Sequence, residues 1–105
     1  GVTDALLSVL SDIHHGASLY LRDGSAVELQ DVMTDVAFFA QEARTRVISG
    51  SLKTPAFWQI CHDRFLAGAV CLASQSFERA PQTRLLQKLE DCLPLLRTIV
   101  ERTLA

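Results

Sequence analysis

The chain has no basic excess, no apolar run long enough to span a bilayer, and no motif of the phosphate-cradling or nucleophile-elbow type. Ten Lys and Arg stand against twelve Asp and Glu, a net charge of −2, with a pI near 5.9. Segments 1–23 and 24–50 each sum to −2, and segments 51–80 and 81–105 each to +1. Neutralising phosphates takes clustered Lys and Arg, so direct nucleic-acid binding is not expected. The longest uncharged stretch, Phe65 to Phe77, has 13 residues and includes Gly68, Ser74, Gln75 and Ser76. A membrane helix needs roughly 18 to 20 apolar residues. Gly1-Val2-Thr3-Asp4 carries no basic n-region, so a secretory signal is not expected either. GxGxxG, GxxxxGK[ST] and GxSxG are all missing.

Cysteine is scarce. Cys61, Cys71 and Cys92 are an odd count with no CxxC pair, unlike the dense, even sets of secreted disulfide scaffolds. They read as free, buried thiols of a protein in the reducing cytoplasm. His14, His15 and His62 are not spaced with them as zinc ligands. No metal or other cofactor is expected.

What is present is apolar and helical. Of 105 residues, 49% are apolar and 21% charged, with a mean hydropathy of +0.20. That excludes intrinsic disorder and fits one domain over residues 1–105. The periodicity is 3.6 throughout, which predicts an all-α bundle of four segments. Thr3 can cap a first helix with the stripe Leu6, Leu10, Ile13, Ala17 and Tyr20/Leu21, where Gly16 weakens but need not end it. Asp23-Gly24-Ser25 forms a turn, and Ser25 to Glu28 reads as a capping box. The second helix, with the stripe Leu29, Val32, Val36, Phe39/Ala40, Ala43 and Val47, stops at Gly50. Thr54-Pro55 starts a third that extends to about Glu78. Ala80-Pro81 breaks the chain before a fourth, with Leu85, Leu86, Leu89, Leu93, Leu96 and Val100 on one broad face. Pro94 inside it should kink the helix.

Chemistry-bearing residues are few. Cys61-His62-Asp63 has the composition of a nucleophile, base and orienter, but adjacent helical side chains point about 100° apart and cannot converge as a triad. Cys61 shares a stripe with Phe57 and Phe65 and reads as core. His15 faces solvent and His14 flanks the core. Glu28, Asp31, Asp35 and Glu42 share one flank of the second helix; as paired acids they would suggest hydrolysis, but a solvated helix face explains them. No enzyme is expected.

Surplus apolar residues say more. The third helix has one stripe of Phe57, Cys61, Phe65, Gly68 and Leu72 and a second, roughly opposite, of Leu66, Val70, Ala73 and Phe77. A helix apolar on both sides is buried on both, so the second stripe is either central core or a subunit interface, with Leu66, Val70 and Phe77 as candidate dimer contacts. Ala67-Gly68-Ala69 also allows another helix to approach closely. Phe38 projects from the polar side of helix two among Asp31, Thr34, Asp35, Gln41 and Glu42. Leu19 and Leu95 are also off their stripes. A large aromatic rimmed by polar groups has the composition of an interface anchor, which makes Phe38, with Asp31 and Asp35 beside it, a candidate partner-binding set.

The stretch VELQDVMTDVAFFAQEARTRVISGSLKTPAFWQICHDRF, residues 27 to 65, together with the size and helical character of the chain, resembles the QslA family of small quorum-sensing antiactivators. The resemblance implies a cytoplasmic helical homodimer that binds the ligand-binding domain of a LuxR-type receptor, blocking its dimerisation and DNA binding. That family has no short signature, so no functional residue is carried over. Two other readings stay open: a secretion chaperone or helical adaptor covering an amphipathic partner segment, and a ligand-binding helical domain with Trp58, Phe57, Phe65 and Tyr20 around an apolar pocket.

Overall fold

In the computed structural model, which describes residues 1–23, 27–75 and 80–105, the chain is a four-helix bundle. Helix α1 covers Val2–Arg22, α2 Val27–Ser49, α3 Pro55–Ala73 and α4 Ala80–Leu104. Each helix packs against its two neighbours around a square, α4 closing back onto α1, and no strand occurs among the described residues. The bundle measures 41 × 21 × 20 Å.

The core is wholly apolar among the described residues, and three of its features explain the geometry. Gly68 on α3 allows a close approach: a Cβ there would lie 2.8 Å from Val36 Cγ2 of α2 and 3.5 Å from Leu89 Cδ1 of α4. Gly16 plays a milder version of this part on α1, where a Cβ would meet Leu85 Cδ1 of α4 at 3.1 Å. Trp58 is fully buried, which an indole tolerates when its N–H is satisfied; its Nε1 donates to the Leu52 carbonyl at 3.1 Å. The α1–α4 seam is tied on the outside by Lys88 to Asp12 at 3.3 Å and by Gln82 Nε2 donating to Tyr20 Oη at 2.8 Å.

The helix ends follow local chemistry. Gly50 adopts a φ of +76°, Gly50 N donates to the Val47 carbonyl and Ser51 N to the Arg46 carbonyl. This is the paired bonding of a Schellman motif, in which a left-handed residue satisfies the last free carbonyls. Pro55 stands at the first position of α3, behind Thr54 as N-cap residue. At two ends the expected boundary is corrected. Thr3 does not cap α1, because the helix already starts at Val2 with Ala5 N bonded to the Gly1 carbonyl. Helix α3 ends at Ala73 rather than near Glu78: Ser74 Oγ and Gln75 Nε2 both donate to the Cys71 carbonyl, terminating the helix with side chains. Gly24 and Ser25 of the expected turn and capping box, and Phe77 of the second α3 stripe, lie outside the described residues. Helix α4 runs unbroken across Pro94, which faces solvent.

Candidate functional site

Exposed apolar side chains concentrate on the outer faces of α2 and α3. Phe38 is 57% exposed, a large fraction for an aromatic. It lies about 180° around α2 from the buried set Leu29, Met33, Val36, Ala40 and Ala43. Its ring nevertheless has an aromatic contact on its inner side. Phe38 meets Phe39 edge to face at 5.3 Å, Phe39 lies 5.8 Å from Phe57 of α3, and Phe57 packs edge to face on Trp58 at 5.0 Å. Arg46 caps the set, its guanidinium 3.9 Å from the Phe57 ring centre. A chain of ring contacts therefore leads from the buried Trp58 to the exposed Phe38.

Around Phe38 the surface is polar. Asp31, Thr34 and Gln41 are exposed and Asp35 and Glu42 half-buried. Asp35 reaches Arg64 of α3 at 3.8 Å, both side chains about half exposed, a contact of little energetic weight. The structure thus places Phe38, Asp31 and Asp35 together on one face.

The second α3 stripe is not core. Leu66 and Val70 are 43% and 60% exposed, and Ala67 and Ala73 beside them are exposed as well. No charged residue occurs between Arg64 and Gln75, so every side chain this half of the helix turns outward is apolar or a small hydroxyl. Ile60, 44% exposed, extends apolar surface toward α2; it escaped the stripe pattern because it falls between the two stripes. Leu19 is 39% exposed, whereas Leu95, expected off its stripe, packs partly buried against the core.

The remaining candidates separate. Cys61 is fully buried, and burial pushes its thiol pKa well up, with Cys92 nearby adding to the effect. His62, whose side chain is mostly buried, pairs with the exposed Asp63 at 3.2 Å, and that hydrogen bond, with one from Gln59, holds the Asp63 carboxyl below its usual range. The thiol is thus withdrawn from the two polar groups. Trp58 and Phe65 have no exposure and serve as core; a shallow cleft at one end of the bundle is lined instead by Thr3, Leu52, Lys53, Ile99, Arg102 and Thr103. Among the described residues no three His, Cys, Asp or Glu are grouped to hold a metal ion, and no helix is long and apolar enough to cross a membrane. No protein family, curated protein or solved structure matches the chain.

Proposed function

We propose that the protein is a non-enzymatic regulator that binds a LuxR-type quorum-sensing activator in the cytoplasm and blocks its dimerisation and DNA binding. The observation that carries a binding role is Phe38: a large aromatic, 57% exposed, in contact with the Phe39 ring and rimmed by polar side chains. Side chains of this kind anchor protein interfaces, where a central desolvated aromatic supplies much of the energy. The resemblance over residues 27 to 65, which contains Phe38, supplies the identity of the partner. The charge-free outer face of α3, with Leu66 and Val70, serves in this reading as the contact of a two-fold homodimer, the commonest symmetry of small oligomers.

Affinity capture from the source cells, followed by a gel-shift assay with the purified receptor and its promoter DNA, tests the reading. A LuxR-type receptor should be retained, and the protein should abolish the receptor–DNA complex in proportion to its concentration. Retention of a secreted effector would favour the chaperone or adaptor. An unchanged receptor–DNA complex at excess protein would refute inhibition.

A further inference from the structure

Glu28, Asp31, Asp35 and Glu42 lie along the flank of the outer α2 face that turns toward α3, the side on which Asp35 meets Arg64. At 1.5 Å per residue the row extends over about 21 Å, with Phe38 between Asp35 and Glu42. The other flank of the same face is uncharged, with Gln30, Thr34, Gln41 and Thr45 along it and the exposed apolar Val27 and Ile48 toward its ends. Arg64 approaches the row only through the 3.8 Å contact, and Arg46 is held over Phe57 and donates to Thr54 at the far end of the helix. These four negative charges sit in a chain whose net charge is only −2. The face is therefore electrostatically lopsided: an aromatic anchor, acid on one side, neutral amides and hydroxyls on the other. Complementary potentials across an interface set which partner docks and in which register.

We propose that this face takes a partner helix whose apolar stripe is edged along one side by Lys or Arg. Phe38 enters the apolar stripe and the carboxylate row meets the basic edge. The inference rests on the reading of α2 as the partner surface and adds the chemistry of what it binds. A second copy of this chain fits poorly there. Its own α2 would bring a like row of carboxylates, the outward half of α3 from Phe65 to Ala73 has no Lys or Arg to offer, and on α4 Lys88 is engaged by Asp12 while Arg84, Arg97 and Arg102 are interspersed with Glu90, Asp91 and Glu101. An anionic membrane surface would be repelled in the same way.

The test uses two labelled amphipathic peptides of about 18 residues, long enough for a helix of the row's length, with the same Leu stripe and either Lys or Glu along one edge. Fluorescence anisotropy gives their affinities for the parent protein, for Asp31→Lys/Asp35→Lys, for Phe38→Ala, and for Glu90→Lys/Asp91→Lys, an equal charge change at exposed sites on α4. The parent should bind the Lys peptide at least about tenfold more tightly than the Glu peptide, as two or more rim charge pairs allow. That preference should shrink as salt rises from about 50 to about 300 mM. The α2 reversal should invert the preference, Phe38→Ala should weaken both peptides, and the α4 reversal should leave both within about threefold, the scale of exposed charge effects.

Equal affinity for the two peptides, or an α4 reversal as damaging as the α2 reversal, overturns the proposal. So does a change of sedimenting mass on α2 reversal, which would assign the face to a second copy. With the receptor domain as ligand, parent-like affinity after α2 reversal refutes the basic-edge inference and leaves inhibition standing. Peptide binding as expected, without receptor binding, does the opposite.

Discussion

The outer faces of α2 and α3 both expose large apolar side chains, but they surround them differently. On α2 the ring of Phe38 rises from hydroxyls, amides and carboxylates, with the exposed Val27 and Ile48 standing apart from it toward the two ends of the helix. On α3 Leu66 and Val70 continue into Ala67 and Ala73 with no charge between Arg64 and Gln75. A charge-free apolar face costs little to cover and much to leave in water, which suits a contact that stays closed, as obligate interfaces are the more apolar class. An aromatic within a polar rim suits a contact that opens: the ring supplies affinity, while hydrated rim charges set specificity and encounter rate. Two neighbouring helices of one small bundle thus carry surfaces fit for two kinds of association.

The contrast can be broken most severely on α3. Leu66→Asp with Val70→Asp puts two carboxylates per subunit into the proposed two-fold contact, four in all. Each buried and unpaired charge costs several kcal/mol, so the homodimer should be lost at micromolar concentration. Sedimentation should then give a single 11.6 kDa species with unchanged helicity, since both side chains point outward. A parent protein that already sediments at that mass would leave the α3 face without its assigned role.

The core beneath both faces answers to pH instead. Burial pushes the Cys92 thiol up to about 12 from an ordinary 9.0, and pushes Cys61 up as well. In the unfolded chain both ionise near the ordinary value, so the stability they contribute is full below pH 9 and is lost as pH rises from there toward the folded values. Between pH 8 and 10 the loss should be about 1.4 kcal/mol per thiol, roughly 3 kcal/mol for both. Urea unfolding of Cys61→Ala/Cys92→Ala should lack this extra slope, although its stability at pH 7 falls through lost packing. Partner binding by that variant should stay intact, and identical slopes in the two proteins would contradict the buried assignment.

The smallest effect is expected at the rim. Asp31→Asn or Asp35→Asn should cost less than about 1 kcal/mol in partner affinity, mainly through slower association and a weaker salt dependence in stopped-flow traces. A loss larger than that from Phe38→Ala would exchange the roles of anchor and rim.

Much of this architecture is legible in the sequence. Apolar stripes at helical spacing locate all four helices, and Gly50 and Thr54-Pro55 mark a helix end and start that the backbone reproduces. The end of α3 is not legible, because no Gly or Pro stands near Ala73 and the stop comes from Ser74 and Gln75 bonding to the Cys71 carbonyl. Core membership is broader than the stripes. Met33, Trp58, Cys92 and Ile99 are buried to 2% or less beside the residues the pattern selects, since a helix in a bundle is covered over a wider arc than one row. Phe38 is legible as an anomaly, a large apolar residue on a polar side. Its chain of ring contacts is not, because the Phe39–Phe57 contact joins residues 18 positions apart on different helices. The second α3 stripe was readable as apolar on both sides, but only the bundle geometry separates core from surface, exposing Leu66 and Val70.

The central claim is that the outer face of α2, centred on Phe38, carries the partner. Its most direct test is the affinity of Phe38→Ala for the ligand-binding domain of the receptor, measured by titration calorimetry with helicity and sedimenting mass checked against the parent. The account predicts a loss of about 2 to 4 kcal/mol, roughly thirty- to a thousandfold in Kd, the usual effect of truncating a desolvated aromatic anchor. An affinity within about threefold of the parent, with fold and mass unchanged, would remove Phe38 from the interface and contradict the account.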